Sequence, residues 1–192
     1  MAPVDTTTIV PPISLAARHL SSCSSSIEYD FEHGEAYQWE NGTQSDVVGF
    51  TTFLGRLGQE TPLMSKEFNV RTSSDKVVVE FEFYNIDGRD ANDHFYVLIQ
   101  GSRHEIQLTG GAEGHWEDPS VTGRAAHNQR FNIGYNYTTH DEKTTVKLDI
   151  GYQWYTSGTL KLGFEVDMAD SIADKGAGID NFKMSLVCDR RF

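Results

Sequence analysis

Residues 77–84 read Val77-Val78-Val79-Glu80-Phe81-Glu82-Phe83-Tyr84, and their alternation decides the fold class. In an extended chain successive side chains point to opposite sides, so Val77, Val79, Phe81 and Phe83 share one face while Val78, Glu80, Glu82 and Tyr84 share the other. One face asks to be buried and the other turns carboxylates to water. The same period recurs on both sides of this segment. Ile27, Tyr29 and Phe31 alternate with Glu28, Asp30 and Glu32. Phe95, Val97 and Ile99 lead into Gln100-Gly101-Ser102 and a further run from His104 to Leu108, which is the pattern of a β-hairpin. Val146, Leu148 and Ile150 give another strand, as do Leu160, Leu162, Phe164 and Val166, and finally Phe182, Met184, Leu186 and Cys188. Helical spacing is confined to Ile13 to His19, and no alternation of β and α segments is present to build a parallel sheet. Short strands separated by Gly- and Asp-rich turns predict an all-β protein: two antiparallel sheets packed face to face in a jelly-roll sandwich.

Composition sets the outer limits. The chain has 192 residues, 38% of them hydrophobic, enough for one sizeable core. Residues 1–26 are rich in Thr, Pro and Ser and show no periodicity, which reads as an arm or linker ahead of a single domain over 27–192. The formal charge of -12, from 16 basic and 28 acidic residues, opposes a phosphate backbone and an anionic membrane surface alike. Nucleic acid is therefore excluded as a partner, and no apolar run approaches the roughly 20 residues that would insert in a bilayer. Cys23 and Cys188 are the only cysteines. Two thiolates do not make a four-thiolate zinc site, which leaves either a disulfide between the two ends of the domain or two free thiols.

Three acidic segments stand out as candidate loops: Asp87-Gly88-Arg89-Asp90-Ala91-Asn92-Asp93, then Glu113 to Asp118, and the stretch from Asp167 to Asn181. Each borders a predicted strand and so lies at a sheet end, where segments distant in sequence converge. Calcium takes roughly six to eight oxygens from carboxylates, amides and backbone carbonyls, and Asp167, Asp170, Asp174, Asp180 and Asn181 supply that chemistry. The spacing is not that of an EF-hand loop, so a site has to be assembled from separate segments, with Asp180, at the start of the last predicted strand, as its first member. The bland reading of all three segments is solvated turns, in which Asp, Asn and Gly are favoured for conformational reasons. His115 beside Trp116, and Tyr135 with Tyr137, are candidate ligand contacts, since an aromatic face stacks on a sugar ring or a peptide. At least one of Trp39, Trp116 and Trp154 is expected in the core.

In order along the chain, Asp30-Phe31-Glu32 with Trp39 and Asn41-Gly42, Thr52-Phe53-Leu54-Gly55-Arg56, Phe83-Tyr84-Asn85-Ile86-Asp87 and Gly178-Ile179-Asp180-Asn181 resemble the lectin-like calcium-binding jelly-roll modules of large secreted repeat adhesins and related surface proteins. The resemblance spans roughly residues 27–188. It implies that first and last strands lie together under a calcium clamp, with Glu32 and Asp180 near one ion. It further implies an extracellular or cell-surface location and a glycan or peptide ligand. In a DSWD-like stretch this chain has Arg89 where the resemblance leads one to expect tryptophan. The expected metal set is thus Glu32, Asp87, Asp90, Asp93, Asp174, Asp180 and Asn181, and the expected ligand set His115, Trp116, Tyr135 and Tyr137, on a monomeric, non-enzymatic module.

Two alternatives accompany that reading. The first is a calcium-clamped spacer within a longer surface protein. The second is a glycoside hydrolase using Glu80 and Glu82, whose backbones stand about 7 Å apart on one strand face, within side-chain reach of the roughly 5 to 5.5 Å carboxyl separation of retaining enzymes. Sandwich glycosidases resembling the laminarinases carry a third acid two residues on, where this chain has Tyr84. No histidine pair at helical zinc spacing, nucleophile elbow or phosphate loop is present.

Overall fold

A computed structural model describes residues 25–47, 50–88, 92–106, 114–118, 121–131, 141–168 and 175–188, giving the backbone course alone over 114–118 and 123–131. The strands are β1 (Ser26–Tyr29), β2 (Gln44–Val47), β3 (Thr51–Leu57), β4 (Leu63–Asn69), β5 (Lys76–Ile86), β6 (His94–Ile99), β7 (Ser102–Glu105), β8 (Gly114–Asp118), β9 (Val121–Phe131), β10 (Asp141–Gly151), β11 (Thr159–Asp167) and β12 (Gly176–Val187). Two short 3-10 turns, Glu35–Gln38 and Tyr152–Trp154, are the only helical pieces among the described residues. No helix there is long and apolar enough to cross a membrane.

All strand pairings among the described residues are antiparallel. An eight-stranded sheet runs β2-β3-β12-β5-β10-β9-β8, with β1 also paired to β12, and a four-stranded sheet runs β4-β11-β6-β7. The two pack as the expected sandwich. Inward residues of β5 (Val77, Val79, Phe81, Phe83) and β10 (Val146, Leu148, Ile150) face those of β11 (Leu160, Leu162, Phe164, Val166) and β6 (Phe95, Val97, Ile99) in one buried cluster. Trp39 sits at its aromatic centre, 5.4 Å from the Phe182 ring, 5.5 Å from Phe164 and 5.8 Å from Phe68. Aromatic pairs at these spacings add to area burial, which accounts for Trp39 being buried while Trp154 is half-buried beside His104.

The predicted hairpin is present: Gln100 (φ 51°) and Gly101 (φ 83°) form the two-residue, left-handed turn between β6 and β7 that matches strand twist. Three readings are corrected. The acidic segment ending at Asp118 is not a loop over its length, because 114–118 pairs with β9 as the edge strand β8. Asp167 belongs to β11, and β12 begins at Gly176, so Asp180 lies inside the last strand rather than at its start. Phe31 is not a strand residue either; its φ of 57° turns the chain just after β1.

β1 lies on the same flank of β12 as β3, but further along. β3 pairs with Ala177 to Ile179 and β1 with Phe182 to Ser185, while β5 runs along the other flank throughout. Cys188 is disulfide-bonded, and Cys23 is the only other cysteine in the sequence. Cys23 itself lies outside the described residues, as do residues 1–24 of the expected arm.

Candidate functional site

The site forms where β12 changes partners. Between Asp180, opposite Glu82, and Lys183, opposite Glu80, β12 spends one residue more than β5, a β-bulge. Asn181 absorbs it in the left-handed region at φ 48°, which Asn tolerates better than most residues. The bulge sets the side chains on either side of it. Ile179 and Phe182 both enter the core, while Asp180 turns to the outer face of the large sheet and is nevertheless buried. Gly178 is required for contact reasons, since a Cβ there would stand 2.4 Å from the Phe53 ring.

Around Asp180 six side chains make one polar network. Thr51, the first residue of β3, has its hydroxyl 3.0 Å from Asp180 Oδ2 and 3.0 Å from Glu32 Oε1. The Tyr84 hydroxyl is 3.1 Å from Asp180 Oδ2 and 3.1 Å from Glu82 Oε2. Glu82 also accepts from Asn181 Nδ2 (2.9 Å) and pairs with Lys143 Nζ (2.7 Å). Backbone N–H groups serve the remainder: Thr52 donates to Glu32 Oε1 (3.0 Å) and Asn181 to Asp180 Oδ1 (2.7 Å). Each hydroxyl has a single hydrogen and each stands between two carboxylates. Two hydrogens thus face four oxygen–oxygen contacts.

The electrostatics follow from this crowding. Burial pushes the Asp180 carboxyl above its usual range, helped by the Glu82 charge and opposed by hydrogen bonds from Asn181, Thr51 and Tyr84. Burial together with the Asp180 and Glu82 carboxylates drives the Tyr84 phenol far up, so it stays a neutral donor. Glu32 is held below the ordinary carboxylate range by the Thr52 N–H and the Thr51 hydroxyl. At Glu82 burial works upward, but the Lys143 and Asn181 hydrogen bonds and the Lys143 charge bring the group below its ordinary value. Beside the network a pocket of about 320 Å³ opens along Asn181, Tyr29, His33 and Lys183.

The remaining expected ligands do not join this point. Asp87 stands five residues beyond Glu82 on the chain, roughly 16 Å at the rise of a strand. It pairs with Arg56 at 3.2 Å, its N–H donates to Asp141 Oδ1 (2.5 Å), and Asp93 lies 3.8 Å from Lys175 Nζ. Asp87 and Asp93 are therefore buried against cations at the far end of β5, and one ion does not serve them and Asp180 together. Asp90, Asp170, Asp174, Tyr135 and Tyr137 lie outside the described residues. His115 and Trp116 lie on β8 at the sheet edge, opposite Arg124 and Gly123. Among the described residues no three His, Cys, Asp or Glu side chains group as metal ligands. Glu80 and Glu82 each face a lysine of β10, Lys147 (2.6 Å) and Lys143 (2.7 Å). With its carboxyl lowered, Glu82 is ill suited to the proton-donor role that hydrolysis needs.

Reading the sequence did not single out Thr51, or Tyr84 and Glu82 as partners of Asp180. Their signal was the shared face of Glu82 and Tyr84, which points at Asp180 only once β5 and β12 are known to pair.

No protein-family profile and no curated protein matches the chain. Among solved structures it is similar to a native family 35 carbohydrate binding module from Clostridium thermocellum, with a TM-score of 0.37 and 15% identity over 83% of this chain and 97% of that one. A likeness of that size carries neither ligand nor site across.

Proposed function

We propose that this protein is a calcium-dependent, non-enzymatic ligand-binding module of an extracellular or cell-surface adhesin, with the ion at Glu32 and Asp180. The observation that supports this is the convergence of those two carboxylates on the single Thr51 hydroxyl, 3.0 Å from each. A divalent cation relieves their mutual repulsion and ties the turn after β1 to the bulge of β12 and the start of β3. The donors are hard oxygens, which suits calcium. Glu32 and Asp180 would supply the charge, with the Asn181 amide, the Thr51 hydroxyl, backbone carbonyls and water completing the shell. A glycan or peptide would then bind at the neighbouring pocket along Tyr29, His33 and Asn181.

The test is calorimetry and thermal melting with calcium and with chelator, followed by a glycan and peptide array in both conditions. Heat on calcium addition, a raised melting temperature and calcium-dependent retention of particular ligands are expected. No heat and an unchanged melting temperature would refute the reading.

A second reading is favoured by the position of the proposed ion. It lies where β1 and β3 meet the same flank of β12, so it would brace the sandwich whether or not a ligand is held. Calcium binding with silence across both arrays would identify a clamped spacer.

A further inference from the structure

The outer face of the four-stranded sheet carries a groove of about 350 Å³, on the opposite sheet from the β12 bulge of the proposed calcium position. Its floor is a row set by strand register: Ser65 on β4, Gly163 on β11 and Leu98 on β6 stand side by side. A Cβ on Gly163 would lie 3.1 Å from the Met64 carbonyl oxygen and 3.4 Å from the Leu98 and Ser65 Cβ atoms. The missing side chain is what keeps the trough open.

Both walls are built. On one side Glu40 and Asn41 run along β4, where the Glu40 N–H donates to the Ser65 carbonyl (2.7 Å) and the Ser65 N–H to the Glu40 carbonyl (3.1 Å). On the other side stands the Gln100-Gly101 turn. Gln100 Nε2 donates to the Trp154 and Thr159 carbonyls (2.8 and 2.9 Å), and its Oε1 accepts from the Lys161 N–H (3.4 Å). Between the walls Glu40 Oε2 accepts from Ser65 Oγ (2.8 Å) and Lys161 Nζ (2.9 Å).

We propose that this groove is a second, calcium-independent binding site, which takes one pyranose ring of an uncharged glycan. The rim holds one carboxylate and one ammonium already paired, so a charged ligand gains little net attraction from it. What the pair does offer is an acceptor and donors side by side, since the Lys161 ammonium has hydrogens beyond the one it gives Glu40. A sugar hydroxyl both donates and accepts, and two adjacent hydroxyls match that pairing. The C–H face of the ring then rests on Leu98, the Gly163 backbone and the Lys161 methylenes. An extended peptide fits less well. It adds to a sheet at an edge with unpaired backbone groups, whereas β11 beneath this floor is paired on both sides.

The test is a ¹H–¹⁵N NMR titration of the folded protein in excess EDTA with cellobiose, maltose, lactose and chitobiose, each to about 20 mM, a range that covers millimolar affinity. At least one disaccharide is expected to shift the amides of Asn41, Gly101 and Gly163. Lys161→Ala and Asn41→Gly, both at exposed positions and the second chosen because Asn41 has a left-handed backbone (φ 57°), are expected to weaken that binding by about tenfold and about fivefold with the rest of the spectrum intact. Absence of shifts at those amides with all four sugars overturns the proposal, as do shifts that Lys161→Ala leaves unchanged. In a parallel titration with calcium in place of EDTA, shifts confined to Tyr29, His33 and Asn181, with none in EDTA, overturn this site while leaving the calcium reading standing.

Discussion

Glu32 and Asp180 share one partner, the Thr51 hydroxyl, with a carboxylate oxygen of each 3.0 Å away. One belongs to the turn after the first strand and the other to the bulge of the last, so whatever neutralises the pair also fastens two ends of the fold. If the proposed site binds calcium, a hundredfold excess over the dissociation constant would stabilise the native state by about 3 kcal/mol, which in a domain of this size would raise the melting temperature by roughly 5–10 °C. Glu32→Gln and Asp180→Asn are each expected to remove most of that rise. A calcium-induced shift of full size in Asp180→Asn would exclude the site.

The same residue gives a pH signature of opposite sign without the metal. Burial raises the Asp180 carboxyl, so the folded chain holds its proton more tightly than the unfolded chain. Between the ordinary aspartate value and the raised one, stability from this group therefore falls as pH rises. Glu32 and Glu82 work the other way: both are lowered, and their contribution is present above the ordinary glutamate value and lost as pH falls through the lowered one. In chelator, Asp180→Asn is expected to melt higher than wild type near pH 8, with the difference shrinking toward about pH 4 as the wild-type carboxyl protonates. Thermal melts across that range check it, and a variant less stable than wild type near pH 8 in chelator contradicts the account.

Gly178 is a steric necessity of the strand that carries the site. Its missing Cβ would meet Phe53 ring carbons at 2.4 and 2.5 Å, and Phe53 in turn packs edge-on against Tyr84 at 5.6 Å. Gly178→Ala should lower stability by about 1–3 kcal/mol, the range of core overpacking. Phe53→Leu in the same background should recover part of the loss. Additive losses in a denaturant double-mutant cycle would show that the two positions are not coupled.

How far the fold was legible depends on which strands have one wet face. β6, β11 and β5 up to Phe83 alternate cleanly because most of their outer residues stay at least partly exposed, so a period of two is written in the sequence. β3 does not: Phe53 is buried with Tyr84 and Ile86 in a separate cluster apart from the core that takes Leu54, and the alternation disappears. In β4, Lys66 occupies the same face as Met64 and Phe68 by laying its ammonium over the Tyr29 and Phe68 rings, which hides another strand. β8 reads as an acidic loop because its composition is polar and its pairing with β9 leaves no local mark. At the site, Asp180 could be picked out by its setting in Gly178-Ile179-Asp180-Asn181, yet Thr51, Tyr84 and Glu82 could not, since their nearness to it arises from strand pairing. Asp87 and Asp93 are buried beside cations, Arg56 and Lys175, that come from segments the sequence places far away, so their surroundings left no local mark either.

The two glutamates of β5 separate a structural face from a catalytic one. Glu80 and Lys147 are well exposed, so their pair is screened, whereas Glu82 and Lys143 are mostly covered and Glu82 is also held by Asn181 and Tyr84. Lys147→Ala is expected to change stability by less than about 0.5 kcal/mol, and Lys143→Ala to lower it by about 1 kcal/mol. Losing Lys143 also removes the charge that pulls Glu82 down, so the Glu82 carboxyl should titrate higher in that variant, which NMR of its side-chain carbon follows directly. A hydrolase would respond differently, because raising one carboxyl of a pair is how a proton donor is made. With β-glucan as substrate, no turnover is expected from wild type, Lys143→Ala or Glu82→Gln. Hydrolysis by wild type that is abolished in Glu82→Gln would reassign this outer face as an active site and displace the ligand-binding account.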